Sequence, residues 1–395
     1  MTRGKNRIFL GVLVFLVIAG GWFYYAYFVS TSAAIRHAEA FLFRRMTITQ
    51  LAEQGDFRHF FVTNRVLEAG EGPLEERFGI DRQEALAFGS FDTSIEPSLG
   101  LGMIINPTEW FQNEEIRLSG IRQLDKTAFV ESLGRYVDDS PGRSLLILVH
   151  GFRERFPSAL RKTAFIASVL DINTPVLLFD WPGDQGSSLR GYTKARTMAK
   201  ASGADLARAI AIIVREIRPD HLSLIANSMG AQVIADAFGV LYTEADMADA
   251  DKELDHVVLT APDVDHAEFN NQFKNEIKAL ANDLTVYVSS NDRALLMSRL
   301  INRGERLGES TLSMDQLDEA ESLSKLVDPD SDLITLVDVT PVNRTRNFHN
   351  FSLETPEFFD DLYLRLTTDD VPGNRLIYRL ETPEGSVYWV LTRGR

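Results

Sequence analysis

A succession of short, predominantly apolar runs, each closed by a polar or glycine-bearing turn and followed by a helical stretch, constrains the fold of this chain most. The runs are Leu145–Val149 (LLILV), Val176–Phe179 (VLLF), His221–Ile225 (HLSLI), Val257–Leu259, Leu284–Val288 and Ile334–Val339. Apolar segments this short suit strands covered on both faces, and the helices between them supply the crossovers that parallel strands need. Helical stretches are expected at Pro157–Leu170, Thr193–Ile217 and Ala231–Leu241, and earlier strands at His59–Thr63, Ala85–Ile95 and Gly100–Ile105. The tail Arg375–Leu391 reads as a hairpin turning at Pro383-Glu384-Gly385. No internal repeat or low-complexity tract interrupts the series.

Composition agrees with one large α/β domain carrying additions. The 395 residues are 45% apolar and 25% charged, which argues against wholesale disorder and against a polytopic membrane protein. A formal charge of −15 lacks the basic footprint of a general nucleic-acid binder. The absence of cysteine excludes disulfides, a thiol nucleophile and thiolate metal sites.

The N-terminus points to a membrane. From Ile8 to Phe28 run 21 uncharged residues, ending in Trp22, Phe23, Tyr24, Tyr25 and Tyr27. A helix of that length spans roughly 30 Å, and the aromatic end suits a membrane–water interface. A cleaved signal peptide is the competing reading, with Ser32, Ala33 and Ala34 as cleavage-site candidates, but the apolar run exceeds the usual ~7–15 residues. Arg3, Lys5 and Arg7 before the span favour a cytoplasmic tip with the bulk outside, periplasmic in a bacterium. The expected layout is a tip and anchor over residues 1–32, a juxtamembrane helix or linker over 33–54, a catalytic domain over 55–370 and the hairpin over 371–395.

The chemistry concentrates in HLSLIANSMGAQVIADAF, where a strand meets a helix at Ala226-Asn227-Ser228-Met229-Gly230. Small-x-Ser-x-small between strand and helix is the pattern of a nucleophile elbow. The sharp turn needs small residues two places from the serine on each side. It holds the hydroxyl above the sheet, where helix amides can steady an oxyanion. The competing reading is a serine in an ordinary strand-to-helix turn. A nucleophilic serine needs a base. Of the seven histidines, His37 and His59 precede the core, His221 and His256 open strands, and His150 precedes the nucleophile. His266 sits just beyond Asp263 and Asp265, at a helix start. Behind such an elbow the base comes last in the chain, which leaves His349, with a surface-loop histidine as the alternative.

LLILVHGF, VLLFDWPG, LIANSMGAQ, VVLTAPDVD, VYVSSNDRAL, the late His349 and FFVTNR near the start resemble the bacterial esterase/lipase-like family of α/β hydrolases, from about Phe60 to Leu366. Most members of that family have no assigned substrate. The resemblance implies an α/β-hydrolase fold, a mostly parallel central sheet with helices on both faces, here preceded by one N-terminal transmembrane helix. It also implies Ser228 as nucleophile, Asp292 as acid and His349 as base. The backbone amides of Met229 and Phe152 would form the oxyanion hole, with His150-Gly151 shaping that loop. Ala226 replaces the usual first glycine, and Asn227 stands where histidine is common. The acid stays open between two strand ends. Asp292 follows Ser289-Ser290-Asn291, a polar loop opening a helix, while Asp265 and Asp263 are the alternatives on the earlier strand.

Asp263, Asp265 and His266 would need further ligands to hold a metal, and none is apparent; no cofactor and no metal is expected. No phosphate loop or dinucleotide fingerprint occurs. Residues 303–332 carry nine acidic and three basic side chains, a solvated insertion or a lid. The expected protein is a membrane-anchored serine hydrolase acting on a small-molecule or lipid-like acyl substrate. The alternatives are a non-catalytic envelope scaffold on the same fold, and a serine peptidase or thioesterase.

Overall fold

The computed structural model describes residues 45–51, 56–95, 116–244, 246–247, 252–265, 268–289, 334–343, 351–367, 377–381 and 387–392. The N-terminal apolar segment, the expected strand at 100–105, His266, Asp292, the acidic insertion and His349 lie outside the described residues. Among the described residues, no helix is long and apolar enough to cross a membrane.

Eleven strands form one sheet: β1 (Asp56–Leu67), β2 (Phe78–Ile95), β3 (Ile116–Leu124), β4 (Ser144–Val149), β5 (Val176–Asp180), β6 (His221–Asn227), β7 (Leu254–Thr260), β8 (Ala281–Val288), β9 (Ile334–Asp338), β10 (Ile377–Glu381) and β11 (Val387–Leu391). Their spatial order is β10-β11-β9-β8-β7-β6-β4-β5-β1-β2-β3. From β1 through β5, β4, β6, β7, β8 and β9 to β11 every pairing is parallel. Only β2, β3 and β10 run against their neighbours. The expected C-terminal hairpin is present as β10 and β11, and β11 joins the main sheet beside β9.

Alternate side chains of each strand enter opposite layers. Leu145, Ile147 and Val149 pack beneath helices α1 (Lys126–Asp138), α3 (Leu189–Ile212) and α4 (Gly230–Leu241), together with Phe129, Leu206 and Val233. Leu146 and Leu148 face the other layer, where α2 (Phe156–Leu170) and α6 (Pro356–Thr367) contribute Ala164, Phe165, Phe358 and Leu362. Helix α5 (Lys274–Leu280) returns the chain to β8 and adds Ile277 to the first layer. Several elements escape the sequence reading, among them β3, α1 and α6. Strand β3 has only its first residue buried, so no apolar run announces it. Helix α1 is amphipathic and begins at Asp125, whose carboxylate accepts the Ala128 amide as an N-cap. The expected helix from Thr193 starts four residues earlier, capped by Ser188, and its last turn, Ile213–Ile217, widens to a π-helix.

His59 is a correction. It does not precede the core but lies within β1, fully buried, opposite Phe91 of β2, with ring centroids 5.3 Å apart. Neither ring nitrogen has a hydrogen-bond partner. Burial pushes its pKa from 6.5 down to about 4, against a smaller opposing pull from Asp92. The folded state therefore holds His59 neutral where the unfolded chain protonates it, so stability is lost as pH falls from about 6.5 towards about 4. The loss should be on the order of 3 kcal/mol. Denaturant titrations of wild type and His59→Phe across that window should show the wild type losing stability and the variant losing less by about this amount; parallel curves would refute it.

Candidate active site

The carboxyl ends of the parallel strands converge on Ser228. In register, Val149 of β4 lies beside Ala226 of β6, and Asn227 beside Thr260 of β7. Ser228 follows directly and adopts φ 53°, a left-handed conformation that costs a non-glycine residue about 1–3 kcal/mol. Hydrogen bonds hold it there: its N–H donates to the Thr260 carbonyl at 2.9 Å, and its own carbonyl accepts the amides of Ala231 and Asp263, each at 3.1 Å. The small neighbours are sterically required. A Cβ on Gly230 would meet the carbonyl oxygens of His150 and Val149 at 2.6 and 2.7 Å. On the other side Ala226 is fully buried.

The loop after β4 closes on the serine. A Cβ on Gly151 would stand 3.1 Å from Ser228 Cβ and 3.0 Å from the Asn227 carbonyl oxygen. Phe152 follows at once, its ring edge-on to Tyr192 of α3. Thus Phe152, Met229 and Ser228 come together. Among the described residues, no hydrogen-bond acceptor is found for the Phe152 or Met229 backbone N–H.

Of the carboxylates, Asp263 is buried at the end of β7 and accepts the Tyr192 hydroxyl at 2.6 Å. Asp265 Oδ1 accepts the Glu268 amide at 3.2 Å. Ser289, three residues before Asp292, is buried at the end of β8 and accepts from Asn343 Nδ2 at 2.9 Å. Asn227 Nδ2 donates to Thr260 Oγ1 and to Ser352 Oγ, both at 3.0 Å. Ser352 sits in the helical turn Phe351–Glu354, three residues after His349. His221 and His256 stand at the far edge of the sheet beside Asp255 and Asp283. No cluster of metal-ligating side chains occurs among the described residues.

Sequence reasoning missed a buried charged group beside the loop after β4. Asp180, at the end of β5, accepts from Arg65 Nε at 2.7 Å and from Thr63 Oγ1 at 2.6 Å, and lies 2.9 Å from His150 Nε2. Burial alone would raise the Asp180 pKa; the Arg65 charge and the His150 contact outweigh it and hold the carboxyl below its usual range. The signal was present, since FFVTNR and VLLFD each end an apolar strand on a charge of opposite sign.

A family model described as "Alpha/beta hydrolase of unknown function (DUF900)" matches residues 125–363. No curated protein sequence matches the chain. Among solved structures, a zinc-bound cold-adapted esterase from an Arctic intertidal metagenomic library is 13% identical, covering 81% of this chain and 98% of that one at TM-score 0.37. The ydeN gene product of B. subtilis is 12% identical, covering 57% and 100% at TM-score 0.29. An esterase of Pyrococcus furiosus is 14% identical, covering 56% and 80% at TM-score 0.32. The family match spans more than half of the chain, from the start of α1 through most of α6, and the chain belongs to the DUF900 family of α/β hydrolases.

Proposed function

We propose that this α/β hydrolase cleaves an ester or related acyl bond through Ser228, His349 and Asp292. The observation that carries the reading is the strained, buried Ser228 at the strand-to-helix turn, with the Gly151-Phe152 loop pressed against it. Ser228 Oγ attacks the acyl carbonyl while His349 takes its proton. The carbonyl oxygen, now anionic, receives the amides of Met229 and Phe152. His349 then protonates the leaving group, and water repeats the sequence on the acyl-enzyme. Asp292 orients the imidazole and stabilises its charge.

Two local contacts support the partners. The Asn227–Ser352 hydrogen bond ties the chain three residues after His349 to the residue beside the nucleophile. Ser289, three residues before Asp292, is held at the end of β8 by the Asn343 side chain, while Asp265 and Asp263 stay as the alternative acids.

Ser228→Ala and His349→Ala should abolish labelling by a fluorophosphonate probe. Asp292→Asn should slow it by a factor on the order of 10⁴, because the imidazole loses its tautomer and counter-charge. Asp265→Asn should label like wild type. The opposite result for the two aspartates would place the acid on the earlier strand, and full labelling of Ser228→Ala would remove the nucleophile.

The apolar segment Ile8–Phe28 is proposed as a retained anchor that leaves the catalytic domain outside the cytoplasm. A phosphatase fused after residue 60 should be active in a bacterial host, and the chain should stay with membranes after alkaline extraction. A soluble mature chain beginning near Ala34 would identify a cleaved signal instead.

A further inference from the structure

We propose that Arg65 and Asp180 are positioning residues for the oxyanion hole, acting through His150 to hold the Phe152 amide beside Ser228. The inference rests on the nucleophile reading above and extends it to two residues on other strands. Arg65 is 1% exposed and Asp180 is fully buried. Neither side chain has a recorded contact with Ser228, so any influence on the chemistry must pass through the loop between them.

The connections to that loop are specific. Arg65 binds Asp180 with a two-pronged fork, Nε to Oδ2 at 2.7 Å and Nη2 to Oδ1 at 3.1 Å. The same Nη2 donates to the Glu154 carbonyl at 2.8 Å and the Trp181 carbonyl at 2.6 Å, while Nη1 reaches the Gly79 carbonyl at 3.0 Å. One guanidinium thus joins β1, the start of β2, the end of β5 and the loop after β4. Asp180 in turn holds His150 Nε2, and His150 Nδ1 lies 2.9 Å from the Gly151 carbonyl oxygen. The His150 ring lies parallel to Trp181, whose Nε1 donates back to the His150 carbonyl at 2.8 Å. The Arg153 amide donates to the Gly183 carbonyl at 2.9 Å. Phe152 lies between residues fastened on both sides.

Stability alone gives a weak reason for this arrangement. A buried ion pair is often matched or bettered by apolar residues of the same volume. What the fork supplies is direction, because it fixes several carbonyls and one carboxylate in a single plane. An oxyanion donor works only when preset to the position of the developing charge, and misplacement by about 1 Å can cost on the order of 10² in rate.

The test uses the full-length protein with p-nitrophenyl acetate as substrate and a trifluoromethyl ketone as an inhibitor whose serine adduct places an anionic oxygen in the hole. The variants are Asp180→Asn, Arg65→Lys and the paired change Arg65→Met with Asp180→Leu, which leaves no buried charge unpartnered. Thermal melting reports folding for each. In the folded variants kcat should fall on the order of 10²-fold with KM within about threefold. The inhibition constant should rise by the same factor as kcat/KM falls. Arg65→Lys, which keeps the charge without the fork, should recover part of kcat. A pair that merely stabilises the fold would lower the melting temperature and leave kcat of the folded protein unchanged, and that result overturns the proposal. Wild-type hydrolysis by Ser228→Ala would overturn the nucleophile reading and this one together. An inactive Ser228→Ala beside a fully active paired variant would overturn the positioning role alone.

Discussion

Burial of the central sheet on both faces governs the rest of the molecule. Once helices cover Leu145, Ile147 and Val149 from one side and Leu146 and Leu148 from the other, neither sheet face has room for unsatisfied polar chemistry. Solvent and substrate can then meet strand-derived functional groups only at the strand ends. The parallel pairings bring the ends of β4, β5, β6, β7, β8 and β9 to one edge, where amides and side chains that finish a strand can turn outward. Ser228 stands at one of these turns, in a left-handed conformation. Its strain is held by close packing against β4, where Gly230 leaves no space even for a methyl group.

Several carboxylates inside the core are answered by donors from other elements. Asp180 is answered by Arg65 and Thr63, with His150 beside it. Asp205 of α3 accepts from Asn64 of β1 and Arg82 of β2. Asp361 of α6 accepts from Tyr287 of β8 at 2.5 Å and Arg365 at 2.9 Å. Desolvation is the leading cause that raises the Tyr287 pKa well above the usual phenol range, followed by the neighbouring Asp361 charge. These clusters link helix to strand or strand to strand at defined points, which apolar contact alone does not specify. His59 is buried with no hydrogen-bond partner among the described residues, and burial favours its neutral ring.

Much of the fold was legible because parallel strands announce themselves by unbroken apolar runs. The six runs from Leu145 to Val339 all correspond to strands, and Ala231–Leu241 to a helix, within a few residues. Strand β3 escaped because IRLSGIRQL at a sheet edge carries polar residues on most of its length. The nucleophile turn was readable for a different reason. The elbow requires small residues at fixed offsets from Ser228, so Ala226 and Gly230 leave a local signature even though the carbonyls that crowd Gly230 belong to Val149 and His150. The opposite charges that end FFVTNR and VLLFD were readable singly, but their pairing was not, because the strands are separated by the whole β2–β4 region and only the folded register makes Arg65 and Asp180 adjacent. Helix α1 and the His59 site were missed likewise, since burial decides both and burial is a property of the assembled sheet.

The sheet order also bears on how the chain reaches this state during synthesis. Strand β1 emerges first among the described strands, yet its parallel partner is β5, with Phe60 beside Leu177. Between them in the chain lie the antiparallel excursion β2–β3 and the whole β4–α2 unit. Until β5 has been made, β1 has only β2 as a partner, within the antiparallel β1-β2-β3 unit. It docks into the central sheet after β4 and β5 exist, a long-range closure of the kind that slows folding. The guanidinium of Arg65 meets its carboxylate only at that step. The loop after β4, which Arg65 grips through the Glu154 carbonyl, gains that tether only once the N-terminal strand has docked, so the last part of the sheet edge to be fastened is held by the first strand to be made.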